Sequence, residues 1–238
     1  LDIDISQLIQ NISIMALPIL FAITLHEAAH GWMADKFGDP TARYQGRLTL
    51  NPLAHIDIFG TIILPLFMLF TTNGRFVFGY AKPVPVNSRN FKNPERDMAI
   101  VAASGPGINI ILAILSGILF RIIILFKPEI IGYMRMQGSF GERDILITIL
   151  VPIMLMLMKS VYLNVLLAVF NLIPIPPLDG GRILVGILPR HLSDSYSRIE
   201  PYGMFILMGL LFLDPFHTLS RIMWPVISLL TDIILGII

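Results

Sequence analysis

Residues 24–32 read TLHEAAHGW, and they lie towards the carboxyl end of an apolar stretch running from about Leu8 to Met33. His26 and His30 are four residues apart, so a helix places them one turn from each other on a single face. Imidazoles in that relation reach one metal ion, and Glu27 stands beside them as a base for the water that the ion activates. Ionisable groups are costly at membrane depth, and those found there line cavities and carry function. The plainer alternative is a pair of buried histidines satisfied by hydrogen bonds alone. The apolar setting weighs against it, because a chance placement there carries a desolvation cost.

The rest of the chain has the composition of a membrane protein. Of its 238 residues, 55% are hydrophobic and only 14% charged, with a mean hydropathy of +0.77. A soluble domain is roughly 25% charged. A chain of this length holds about six spans of roughly 20 residues each. No basic tract accompanies the net charge of +1, so nucleic acid is not an expected partner. The chain has no cysteine, so a metal site must be built from His, Asp or Glu.

The fold class expected is an all-α polytopic membrane protein of about five to six transmembrane or re-entrant helices, in a single domain over residues 1–238. After the HEAAH stretch come Ile58–Phe70 (short, with Gly60 and Pro65 inside), Met98–Phe126 and Ile145–Leu172. Tyr202–Leu213 and Ile222–Ile238 follow as carboxyl-terminal helices beyond a catalytic core of about residues 8–187. Leu8–Phe21 runs on into HEAAH without a small-residue cleavage site, so it is read as a helix and not as a signal peptide. Arg75–Tyr80 is aromatic and β-branched, with turn residues before it and Pro83 and Pro85 after it. That is the pattern of an edge strand or small β-hairpin, with an irregular loop as the alternative.

Zinc hydrolases use three protein ligands and keep one position for water, so a third ligand is required. Asp179, in NLIPIPPLDGGR, is the best candidate. The proline run breaks the helix there, and Gly180 and Gly181 allow a tight turn that aims the carboxylate at the metal. Asn171, eight residues earlier, is placed to donate a hydrogen bond to the oxyanion of a tetrahedral intermediate, or else to bond a neighbouring helix. Asn109, in the small-residue run AIVAASGPGIN, needs a polar partner and is a candidate second-shell residue. His55, in NPLAHID, is another, with an ordinary loop histidine as its alternative.

HEAAH in a membrane helix, GYAKPVPVN, SGPGIN and NLIPIPPLDGGR together resemble the site-2 protease family of intramembrane zinc metalloproteases, from about Ile12 to Ile187. The resemblance implies His26, His30 and Asp179 as ligands of one zinc ion per chain, Glu27 as catalytic base and Asn171 as an assisting residue. It is to a compact form, since these residues leave no room for a PDZ or CBS domain. It implies a transmembrane protein as substrate, cut within or near its span, and a place in a prokaryotic plasma membrane. Phe76, Phe78 and Tyr80 are the expected substrate-binding strand, which pairs with an unwound substrate by strand addition. A regulatory membrane partner and the oligomeric state are left open. The rival reading is a metal-ion transporter or metal-binding membrane protein using the same ligands. A transporter usually shows pseudo-symmetric halves, and no duplication is visible here.

The ligands constrain the topology. His26, His30 and Asp179 must meet on one side of the bilayer midplane, so an even number of crossings separates them. Three apolar stretches intervene, and the short Ile58–Phe70 is the one expected to re-enter without crossing. Positive charge then divides eleven to four between the two sides, Arg121 and Lys159 lying within spans, which makes the HEAAH side cytoplasmic. Lys159 fits poorly inside the fourth stretch and is a candidate break in that helix.

Overall fold

The structure, a computed structural model, describes residues 5–71, 79–135, 145–213 and 218–237. Helix α1 spans Ile5–Lys36 and a single turn, α2, spans Thr41–Tyr44. A π-helical turn over Ile58–Ile63 leads into α3, Leu64–Thr71. Then come α4 (Pro94–Phe126), α5 (Ile130–Arg135), α6 (Ile145–Asn171), α7 (Asp179–Ile187), α8 (Arg190–Ser197), α9 (Gly203–Leu213) and α10 (Thr218–Leu235).

Three helices, Ile9–Lys36 within α1, α4 and α6, are long and apolar enough to cross a bilayer. Their outward surfaces are apolar too, with Ile12, Phe21, Leu115, Leu119 and Ile149 exposed. Such surfaces suit lipid, and a helix closes its own backbone hydrogen bonds, as a bilayer requires. Ile58–Thr71 is too short to span, in keeping with a requirement of about 20 residues. α6 runs unbroken past Lys159, so that residue marks no break; Pro152 also lies inside the helix.

Among the described residues there is no sheet. Residues 72–78, and with them Phe76 and Phe78, lie outside the described residues. Tyr80 is described, and its backbone pairs with the π-helical turn. Its N–H donates to the Gly60 carbonyl (3.0 Å), and its carbonyl accepts from Thr61 Oγ1 (2.9 Å).

The backbone divides into two compact bodies, to both of which α1 and α4 contribute. One comprises residues 1–22, 106–173 and 204–238. Its core is the stripe Val151, Met154, Val161 and Val165 of α6, packed with Met223 and Ile227 of α10 and Ala113 and Phe120 of α4. A buried polar ladder crosses this body. Asn109 donates to the Ala22 carbonyl (3.2 Å) and to Asn164 Oδ1 (2.8 Å), Asn164 donates to the Ser160 carbonyl (2.9 Å), and Ser160 bonds Ser116 (2.8 Å). Side chains of this kind hold membrane helices together where apolar contact alone gives no preference over lipid.

The other body comprises residues 23–105 and 174–203. Its core gathers Ala34, Phe91 and Val101, with Met33, Phe37, Val86 and Met98 against them. Asp39, fully buried, ties its loops together. The carboxylate accepts from the Thr41 N–H and hydroxyl, from the Asn87 N–H (2.6 Å) and from the Asn90 amide (2.7 Å).

Candidate metal centre

The metal centre lies within this second body. α1 presents His26 and His30 one turn apart, as their spacing dictates, with ring centroids 4.7 Å apart and planes nearly perpendicular at 86°. His30 Nδ1 lies 2.8 Å from the Val101 carbonyl of α4, so Nδ1 carries the proton and Nε2 keeps a free lone pair. The two Nε2 atoms are 3.1 Å apart. Asp179 Oδ2 completes the group, 3.2 Å from His26 Nε2 and 3.4 Å from His30 Nε2.

Asp179 is the first residue of α7, so the prolines end the preceding segment and the aspartate opens a new helix. The expected role of its glycines changes accordingly: Gly180 and Gly181 form the first helical turn. A Cβ on Gly181 would stand 2.7 Å from the backbone nitrogen of Pro176, so the glycine allows the helix to start hard against the proline run. A helix N-terminus also favours a carboxylate. Burial pushes the Asp179 carboxyl up, but the adjoining His26 and His30 rings outweigh it and hold the group well below the usual carboxylate range.

This donor set fits a cation. The three ligand atoms lie within 4.8 Å of one another, on side chains only 10–12% exposed. Asp179 Oδ2 is buried and receives no hydrogen bond of normal geometry. Two imidazoles and a carboxylate, with no thiolate, are a ligand set that zinc accepts in catalytic sites.

Three groups at this site escape a reading of side-chain motifs. The Val101 carbonyl orients His30, and no side chain advertises a carbonyl. Gly105, in the small-residue run AIVAASGPGIN, faces the metal ligands: a Cβ there would collide with the His30 ring and stand 2.7 Å from His26 Cε1. The Val84 N–H donates to Glu27 Oε2 at 2.8 Å.

The remaining candidates have other partners. The His55 ring bonds the Thr49 carbonyl (2.9 Å) and is buried, so it closes its own loop. Asn109 belongs to the polar ladder of the first body. Asn171 ends α6 in that body, and its amide donates to the Leu167 carbonyl (3.0 Å).

A polytopic helical fold with a His-Glu-x-x-His helix and an aspartate as third ligand defines the class of membrane-embedded zinc metallopeptidases. The match to the model of peptidase family M50 covers residues 14–213, and the chain belongs to that family, the site-2 protease family. It is 36% identical over 222 residues to the Bacillus subtilis (strain 168) protein named "Putative zinc metalloprotease YwhC", covering 93% of this chain and 89% of the relative. It is 29% identical over 214 residues to the Mycobacterium tuberculosis protein named "Putative zinc metalloprotease Rip2", covering 90% of this chain and 71% of that one. The Rip2 of Mycolicibacterium smegmatis is 28% identical over 196 residues, 81% of this chain and 64% of that protein. No solved structure matches the chain. The protein is an integral membrane zinc metalloprotease.

Proposed function

We propose that this metalloprotease is an intramembrane endopeptidase that cuts other membrane proteins within or near their transmembrane segments. The observation that carries the reading is the convergence of His26, His30 and Asp179 at the end of a helix long and apolar enough to span a bilayer. A soluble protease has no reason to build its ligand helix from lipid-facing residues.

Bound zinc supplies a Lewis acid for water and for the scissile carbonyl. His26, His30 and Asp179 hold it. Glu27 takes the proton of the attacking water on its carboxylate and passes it to the leaving nitrogen. The family resemblance assigns Asn171 to the developing oxyanion. The substrate reaches the site unwound and extended, because a helix hides its carbonyls in its own hydrogen bonds. It adds as a strand along Tyr80 and the residues that follow. In support, Tyr80 and Lys82 spend their main-chain groups inward, on Gly60, Thr61, His55 and Arg47, whereas Ala81 makes no hydrogen bond with another described residue.

The site faces the cytoplasm, as the division of positive charge indicates. Because the chain has no cysteine, single cysteines at Lys92 and Lys127 report orientation cleanly. Labelling of the first from the cytoplasmic side and the second from the outside is expected; the reverse pattern overturns the orientation. The cleavage reading is tested with a single-span substrate reconstituted with the enzyme, its products mapped by mass spectrometry. Cuts inside or at the edge of the span are expected, and cuts confined to soluble extensions contradict the reading.

A further inference from the structure

We propose that the main-chain N–H of Val84 is the positioning group that fixes the carboxylate of Glu27 for attack. The inference rests on the reading of Glu27 as the catalytic base. It starts from the sequence AKPVPVN at residues 81–87. Pro83 and Pro85 carry no N–H, so Val84 has the one donor among these three consecutive residues. That donor is spent on Glu27 Oε2 at 2.8 Å, and among the described residues no main-chain acceptor competes for it. A hydrogen bond to a carboxylate is charge-assisted and about twice as strong as a neutral one.

The segment is anchored on either side of Val84, which is what a positioning device needs. The Lys82 N–H donates to the His55 carbonyl (3.0 Å). Arg47 donates to the carbonyls of Lys82 (2.7 Å) and Pro83 (3.3 Å), and also holds the Ala54 carbonyl. Further on, the Asn87 N–H is fixed by buried Asp39 (2.6 Å). The Val84 side chain is itself buried, at 8% exposure. It lies over Gly31, where a Cβ would come within 3.0 Å of Val84 Cγ1. Glu27 and Gly31 are one helical turn apart on the same face of α1. Val84 therefore grips α1 twice, by its side chain at Gly31 and by its N–H at Glu27.

A glutamate side chain on a helix otherwise samples several rotamers. With Oε2 held, Oε1 is left for the water, and the base waits in one orientation. Misplacing a reacting group by about 1 Å costs on the order of 100-fold in rate.

The test compares Val84→Pro, which deletes the N–H, with Val84→Ala, which keeps it and loses only packing. Both are purified in detergent with zinc counted, and hydrogen exchange is followed across residues 82–87 in wild type and Glu27→Ala. The proposal expects Val84→Pro to lose about 10- to 100-fold in kcat, with KM and zinc content held. Val84→Ala, which keeps the N–H, should lose less of kcat than Val84→Pro. Glu27→Ala should speed one amide of the segment by about tenfold or more, as that amide loses its acceptor. Wild-type kcat in Val84→Pro, an equal fall in Val84→Ala, loss of zinc from Val84→Pro, or unchanged exchange in Glu27→Ala would each overturn it. If Glu27→Ala releases the amide while the zinc-loaded wild type cuts no membrane substrate, the protease reading has failed and the positioning role falls with it.

Discussion

At the residue scale, the site depends on close approach as much as on donor chemistry. Gly105 is the clearest case, because any side chain there enters the space of the two imidazoles. Gly105→Ala is expected to weaken zinc binding by about 10- to 100-fold, the range for groups that orient ligands, as read by metal content after dialysis against a chelator series. Asp39 tests a different residue-level claim. Burial pushes its carboxyl up, but the hydrogen bonds from Thr41, Asn87 and Asn90 outweigh it and hold the group below its ordinary value of 3.8. The folded protein thus binds this proton less readily than the unfolded chain. The stabilisation is complete above the unfolded value and is lost as pH falls through the lower folded one. Asp39→Asn should lower unfolding stability by about 1–3 kcal/mol near neutral pH. The gap from wild type should stay level down to about pH 5 and narrow below pH 4. A gap independent of pH down to pH 3 would show that the charge on Asp39 carries no part of it. What could be read at this scale was side-chain chemistry, at helical spacing for His26, Glu27 and His30 and beside a helix-breaking proline run for Asp179. The Val101 carbonyl and the Val84 N–H belong to the backbone that every residue shares, so their roles depend on the fold.

At the scale of elements, hydropathy delimits the long helices well, because each must close its own hydrogen bonds and face lipid with apolar side chains. The short ones are less legible. The aspartate in LDGG opens α7 where a turn was expected, since the same glycines serve a turn and a close helix start alike. Lys159 suggested a break, yet α6 continues through it, as a long stem can carry an ammonium away from apolar surroundings. Asn109 was read as a neighbour of the active site, and its amide joins α4 to the α1 backbone and to α6 through Asn164. A double-mutant cycle on Asn109→Leu and Asn164→Leu should give a coupling of about 0.6–1.7 kcal/mol in thermal or denaturant unfolding, the range for polar pairs between membrane helices. A coupling indistinguishable from zero would mean that the pair is an incidental contact.

At the scale of the whole molecule, three facts combine: membership of peptidase family M50, a cation-fitting triad of two histidines and an aspartate, and a ligand helix of membrane-spanning character. They account for a protease whose chemistry is that of soluble zinc enzymes and whose setting is the bilayer. On the proposed reading, that setting calls for an unwound substrate, backbone groups to hold it extended and a base kept in register with the metal. The most direct measurement is cleavage of a tagged single-span membrane protein by the purified, zinc-loaded enzyme, beside Glu27→Gln with its zinc counted. The account predicts that both proteins hold one zinc ion per chain and that only the wild type cuts. Equal cleavage by Glu27→Gln, or no cleavage of any membrane substrate by fully loaded wild type, would contradict it.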